Sequence, residues 1–497
     1  MYSSFKKFGS PHLNEGRFFH FLTALAVTLF VESGFAEESP NFILILLDDF
    51  GWSSMSQSMD KNRPEAKSDY YRTPNIDNLV NRGMRFSNGY ASSPVCSPTR
   101  YSIQFGKSPA SLRRTRGLGK NEVDHNQTAI PQVLKAIDPN YRTAHIGKWH
   151  IEADPSRYKY DIHDGETGNK TAGFDNNDRS RQWSGYAEDD PKRVNTITSK
   201  AIKFIRDSVE REQPFFLQLS HYAVHSNIVY SESSYNEVGT WTKGQLHSNQ
   251  AYAAMVRDMD LSIGNLLDVY DDLDLRSNTY LILVSDNGGM PVLPQQVNRG
   301  IPYKPGLNSP LLRGKWDLME GGIRIPFAVY GPNILPSSQS DEPVVTHDIL
   351  PTLADLAGSV EQIGQDIEGV SLVPLLRQTD SKVDRAFDSL VFHYPHYNLV
   401  GMSEPHSAIR FGDYKLVNFP VSDRQLLFNI SKDIGESDDL SSEKADLVSL
   451  MKNKMETYLS EVGAERPEEA YNWETTGKSG DVRTKFFRRY SADFEQK

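Results

Sequence analysis

An α/β fold with a large, mostly parallel sheet flanked by helices, joined to a smaller C-terminal α+β subdomain with an antiparallel sheet, is the fold class this sequence predicts. Three observations carry the prediction. Almost continuously apolar runs of strand length recur, namely NFILILL (41–47), PFFLQLS (214–220) and TYLILV (279–284). Amphipathic helical patterns separate them. After about residue 385 the texture changes to short segments of the antiparallel kind. Apolar runs without alternation suit strands buried on both faces of a parallel sheet. Their alternation with helices marks crossover units.

In chain order, residues 1–36 read as a signal peptide. Lys6, Lys7 and Arg17 precede the apolar FFHFLTALAVTLFV, and ESGFA ends on small residues, Gly34 and Ala36, suited to cleavage after Ala36. The apolar run is short for a membrane span, and no other segment is apolar enough to cross a bilayer. The expectation is a periplasmic or secreted protein with no membrane span in the mature chain. Residues 37–385 form the main domain and 386–497 the C-terminal subdomain. Within the main domain, ITSKAIKFIRDSV places Ile197, Ala201, Ile202, Ile205 and Val209 on one helical face. YAAMVRDMDLSIGNLLDVYDDL does the same with Met255, Met259, Ile263, Leu266 and Leu267. THDILPTLADLAG is a helix stopped by Gly358. Two stretches, 154–193 and 226–248, read as long surface loops. In the subdomain, SLVFHYP, SAIRFGDYKLVNF and RQLLFNI read as strands and EKADLVSLMKNKMETYLSEV as a terminal helix. The tail from Trp473 is polar.

A net charge of −11 over 497 residues argues against non-specific nucleic-acid binding. From Arg100 to Asn121 the balance reverses: Arg100, Lys107, Arg113, Arg114, Arg116 and Lys120 occur with no acid, so this stretch is either an anion site or a solvated loop. Ligands of parallel sheets sit beyond the carboxyl ends of strands. Asp48 and Asp49 follow one apolar run, and Asp286 and Asn287 follow another. One such Asp would cap a turn; the same ending on two strands points to a hard-oxygen site for Ca²⁺ or Mg²⁺. Cys96 is the chain's only cysteine. A thiol can be a nucleophile, a metal ligand or inert filling. Its neighbours in SSPVCSPTRYSIQFGK are polar, and a helix beginning near Pro98 puts Cys96 at a helix N-terminus with Arg100 one turn on.

C-x-P-x-R, here CSPTR, resembles the signature of the formylglycine-dependent (type I) sulfatases of the alkaline phosphatase superfamily. The resemblance continues in order through NFILILLDDFGW, TPNIDNLVNRGMRFSNGYASSPVCSPTR, TAHIGKWH, SDNGG, LRGKWDLMEGGIRIPF and DILPTLADLAG, covering most of 41–376. It implies that a separate formylglycine-generating maturation enzyme oxidises Cys96 to formylglycine (3-oxoalanine). One hydroxyl of the hydrated aldehyde then attacks sulfur and expels the alcohol. The other loses its proton, the aldehyde re-forms and sulfate leaves. By the same resemblance Asp48, Asp49, Asp286 and Asn287, with residue 96, hold the metal, usually Ca²⁺. Arg100 holds the formylglycine, Lys148 and Lys315 bind sulfate, and His150 lies near the second hydroxyl. His225 protonates the leaving group, with His221 as rival because the family's usual Pro-His is missing here. The implied substrate is a sulfated carbohydrate, a polysaccharide or its oligosaccharides. His393 and His396 of FHYPHY, or a packed turn around Pro395, and Arg179 with Arg181 and Trp183 in the long loop, are the candidates for reading the sugar. A phosphatase or phosphonate monoester hydrolase of the same superfamily, or a non-catalytic carbohydrate-binding relative, are the alternatives.

Overall fold

The structure, a computed structural model, describes residues 38–116, 123–174, 184–290, 308–364, 366–396 and 404–469. The expected signal segment, Arg179, Arg181, Trp183, Lys120 and the tail from Trp473 lie outside the described residues. Contacts divide the chain into Met1–Glu38 and Ser39–Lys497, and the fold belongs to the second unit.

Its centre is an eight-stranded sheet. In chain order the strands are β1 (Asn41–Leu47), β2 (Met84–Phe86), β4 (Arg142–Gly147), β5 (Ile162–His163), β7 (Phe215–Ser220), β9 (Thr279–Ser285), β10 (Phe327–Tyr330) and β11 (Ser338–Ser340). Two short ribbons use β3 (Gly89–Tyr90) with β12 (Val344–Val345), and β6 (Tyr186–Ala187) with β8 (Val229–Tyr230). The order in the large sheet is β11-β2-β10-β9-β1-β7-β4-β5. Strands β9, β1, β7, β4 and β5 pair in parallel, and β10 alone runs against its neighbours β9 and β2. The mostly parallel sheet of the sequence reading is therefore present.

The apolar runs lack alternation because both faces are covered. From β1, Ile43, Ile45 and Leu47 enter one core with α1 (Pro74–Arg82), α4 (Val194–Glu210) and α5 (Gln250–Asp272). Phe42, Leu44 and Leu46 enter a second core with α2 (Cys96–Phe105), α3 (Ile130–Ile137) and α6 (Ile349–Leu356). On α4, Phe204 is buried with Ile197, Ala201 and Ile205, while Ile202 and Val209 only border the core. Gly358 takes a left-handed conformation (φ 94°) two residues past α6, as a helix stop requires. The stretch 226–248 is less irregular than its composition predicts. It holds β8 and a helix, Glu232–Gly239, and Asp69 ties its far end by accepting the backbone N–H groups of Gln245, Leu246 and His247.

Beyond residue 386, strands β13 (Leu390–Tyr394), β14 (His406–Phe411), β15 (Tyr414–Phe419) and β16 (Arg424–Asn429) form an antiparallel sheet, followed by α7 (Ala445–Glu461). One face packs Ile409, Leu416 and Leu427 on Met451 and Met455 of α7. The other packs Phe392, Val417 and Phe428 against Val95, Leu318 and Met319 of the main domain. Among the described residues, no helix is long and apolar enough to cross a membrane.

Candidate active site

Four adjacent strands, β9, β1, β7 and β4, end on one edge of the sheet, and each delivers polar residues there. β1 leads into Asp48 and Asp49, β9 into Asp286 and Asn287, β4 into Lys148, and β7 into His221 and His225. The close approach of β4 to β7 needs Gly147: its φ is +98°, and a Cβ there would lie 2.0 Å from the Ser220 carbonyl oxygen. The Lys148 backbone N–H donates to that same carbonyl at 2.9 Å.

Helix α2 brings Cys96 in as its first residue. Every residue of α2 is buried, and Cys96 is 5% exposed. Ligand atoms of Asp48, Cys96 and Asp286 lie within 4.8 Å of one another, as do those of Asp49, Cys96 and His225. Arg100, one turn along α2, donates from Nε to Asp286 Oδ2 at 2.8 Å and from Nη1 to the Lys148 carbonyl. Lys148 Nζ bonds Asp48 Oδ2 at 2.6 Å. Lys315 Nζ bonds Asp49 Oδ1 at 2.5 Å and lies 3.6 Å from Cys96 Sγ. Three carboxylates thus face three basic side chains around one sulfur. Burial pushes the Cys96 thiol up, outweighing the pull of Lys148 and Lys315. Burial, then Asp48, raises Asp286.

The donor set fits a divalent cation. Asp48 Oδ1, Asp49 Oδ2 and Asn287 Oδ1 are buried oxygens with no hydrogen-bond donor. A buried carboxylate oxygen left unpaired is costly, and hard oxygens converging from two strand ends are what Ca²⁺ or Mg²⁺ takes.

Of the two histidines after β7, His225 is the one grouped with Asp49 and Cys96. Its Nδ1 donates to the Ser226 carbonyl at 2.6 Å, which turns Nε2 toward Asp49 Oδ2 at 3.8 Å. Burial, with Lys315, Lys148 and Lys192, holds its imidazole well below the ordinary range. His221 is fully buried with both ring nitrogens unpartnered, and burial pushes it to about 4. His150 is half-buried in a left-handed conformation (φ 58°). Burial and the charges of Lys148, Arg100 and Lys315 depress it too.

Two participants escaped the sequence reading. Asn308, buried, donates to the carbonyls of Gly289, Met290 and Arg313, and so ties the loop after Asn287 to the one carrying Lys315. Lys192, 2% exposed, lies in the field of Asp48 and Asp49, and burial pulls its ammonium down to about 7. Neither carries a local signal; both depend on what packs around them.

The structure places His393 and His396, two of the candidates for sugar recognition, in contacts inside the fold. His393 Nδ1 meets Ser407 Oγ, and Nε2 meets the Glu465 carbonyl, both at 2.7 Å. Both ring nitrogens of His393 are thus engaged within the fold. His396, 1% exposed, bonds Thr115 Oγ1 at 2.7 Å through Nε2, and Thr115 donates to Glu465 Oε2. Both histidines thus help anchor the C-terminal sheet. The basic stretch is also largely matched internally: Lys107 pairs with Asp366, Arg113 with Glu469 and Arg114 with Glu152.

A mostly parallel sheet, an acid-rich strand edge and a nucleophile-type side chain at a helix N-terminus define an alkaline phosphatase-like hydrolase. Comparison with known proteins narrows the class. The family described as Sulfatase matches residues 40–359, and N-sulphoglucosamine sulphohydrolase, C-terminal, matches 314–462. The chain belongs to the sulfatase family, as a type I sulfatase, and is a sulfuric ester hydrolase. N-acetylgalactosamine-6-sulfatase from Sus scrofa is 27% identical over 412 residues, 76% of this chain and 72% of the relative. A sulfatase of Formosa agariphila is 27% identical over 515 residues, 85% of this chain and 89% of the relative. The solved structure of Ps i-CgsB in complex with k-i-k-neocarrahexaose shares the fold, with a TM-score of 0.69 at 23% identity, covering 91% of this chain and 99% of that one.

Proposed function

We propose that this protein is exported and hydrolyses the sulfate ester of a carbohydrate, a sulfated polysaccharide or its oligosaccharides, with Cys96 converted to formylglycine and Ca²⁺ bound beside it. The observation that carries the reading is the cluster at the sheet edge: Cys96 Sγ beside the Lys315 ammonium, within 4.8 Å of carboxylates from both β1 and β9. Support for a carbohydrate comes from the relatives, one named for N-acetylgalactosamine and one solved with an oligosaccharide.

Each residue has a role in this reading. Asp48, Asp49, Asp286 and Asn287, with residue 96, hold the cation, which when bound polarises a sulfate oxygen and favours an anionic attacking oxygen. Hydrated formylglycine supplies a hydroxyl to attack sulfur and a second whose deprotonation frees sulfate. Arg100, locked between Asp286 and the Lys148 carbonyl, fixes position 96 on α2. Lys148 and Lys315 present ammonium groups to the charged sulfate oxygens. His225 holds the proton for the departing alcohol on Nε2. An anionic ester seated among the lysines offsets the charges that depress this imidazole and raises its proton affinity. His150 sits where it can take the proton of the second hydroxyl.

The test is direct. Mass spectrometry of the peptide containing Cys96, from protein made with a maturation enzyme, should show CH₂SH replaced by CHO. That protein should cleave an aryl sulfate far faster than the matching aryl phosphate. Chelation should abolish turnover and lower the melting temperature, and Ca²⁺ should restore both better than Mg²⁺. Full activity with an intact thiol would refute the reading.

A further inference from the structure

Lys192 stands in a short 3₁₀ turn, Pro191–Arg193, directly ahead of α4. Because α4 packs on the parallel strands β4 and β7, its start lies at their carboxyl ends, over the site. The turn is held in an uncommon conformation: Lys192 (φ 52°) and Arg193 (φ 55°) are both left-handed. Consecutive non-glycine residues in that region persist only where the surroundings enforce them, and they gather at functional sites. Asp190 fixes the turn by accepting the backbone N–H groups of Asn195 and Thr196.

The ammonium itself is unmatched. Lys192 is 2% exposed, yet among the described residues its Nζ has no hydrogen-bond acceptor and no ion pair. Buried lysines are rare and normally paired. The other cations here are spoken for: Lys148 on Asp48, Lys315 on Asp49, Arg100 on Asp286. The charges acting most strongly on Lys192 are those of Asp48, Lys148, Glu188 and Asp49, and Lys192 in turn acts on His225. A surplus positive charge therefore borders the site on the side of Lys148 and His225.

We propose that Lys192 is a third lysine of the sulfuryl site, its ammonium binding a non-bridging oxygen of the scissile sulfate ester beside Lys148 and His225. This assignment rests on the sulfatase reading and goes beyond it in naming a residue that selects for the anionic ester.

The test uses matured protein, 4-nitrophenyl sulfate as a substrate with no sugar, and inorganic sulfate as inhibitor. Lys192→Gln should raise KM for the aryl sulfate and weaken sulfate inhibition by about tenfold or more, the range for losing a charge-assisted hydrogen bond. Lys192→Arg should recover most of both. In the Cys96→Ala background, sulfate should raise the melting temperature, and Lys192→Gln should remove that shift, which gives a readout independent of turnover. Unchanged KM and sulfate inhibition in Lys192→Gln would overturn the assignment while leaving the sulfatase reading intact. So would a defect seen with sulfated oligosaccharide alone, since Lys192 would then contact the sugar. A matured wild-type protein that cleaves no sulfate ester would instead remove the reading on which the assignment stands. If Lys192→Gln does not fold, Lys192→Met provides the same comparison.

Discussion

In the proposed mechanism the chemistry turns on Cys96, and its replacement separates chemistry from folding. Cys96→Ala should abolish aryl sulfate turnover and leave the melting temperature within a few degrees of wild type. The side chain is small, and among the described residues its one hydrogen-bond contact is the 3.6 Å approach of Lys315. Retained turnover in this variant would end the proposed mechanism. At this scale much of the candidate site was legible. Asp48, Asp49, Asp286 and Asn287 stand where apolar runs stop, and a strand end is a position that sequence marks. Lys192 was not legible because DDPKRVN has the composition of a solvated loop; burial of its ammonium is decided by α4 docking on the sheet. The contacts of His393 and His396 were not legible for a related reason. Their partners, the Glu465 carbonyl and Thr115, lie 72 and 281 residues away in the chain, and nothing local announces them.

Among the elements, β1, β7 and β9 were the easiest to read, since burial on both faces leaves its mark as unbroken hydrophobicity. Helices α4 and α5 followed from their periodicity. The short strands β5, β6 and β8 were not legible, being two residues long and set by pairing rather than by composition. The junction of β4 and β7 yields a prediction. Gly147→Ala must fit a methyl group 2.0 Å from the Ser220 carbonyl oxygen at a φ of +98°, so β4 must shift at the residue before Lys148. A loss of about 2 kcal/mol or more is expected, with a larger proportional fall in kcat/KM than in stability, because Lys148 moves with the strand. Urea unfolding and aryl sulfate kinetics on one preparation would check this. An unaltered melting curve would mean that the strand end accommodates the methyl group.

For the whole molecule, the C-terminal sheet is joined to the site through a buried ionic cluster. Lys415 on β15 bonds Glu320 at 3.0 Å and Glu436 at 2.8 Å, and Glu436 accepts the Glu320 backbone N–H. Leu318 donates to His406 of β14. The segment between Lys315 and Glu320 is thereby held from outside the main sheet. Lys415→Met leaves two buried carboxylates without their shared cation and should cost about 3–5 kcal/mol, measured by urea unfolding, with a fall in activity as Lys315 loses its support. The same interface should make the protein acid-labile. Burial pushes His393 and His406 from 6.5 to about 4. Both stay neutral in the fold while the unfolded chain protonates them below 6.5. Their contribution is fully present above pH 6.5 and is lost as the pH falls toward 4. His406→Gln should flatten the decline in urea midpoint across that window; an equally steep decline would show that other groups set it.

Every residue of helix α2 is buried, and Cys96 at its start is only 5% exposed. A maturation enzyme acting on the peptide around this sulfur, as the proposed mechanism requires, would find little of it to grip once the chain has compacted. With formylglycine as the proposed working form, biogenesis acquires an order: a chain that packs while still carrying the thiol should be inert, and the yield of active protein should follow a race between installation of the aldehyde and collapse of the core.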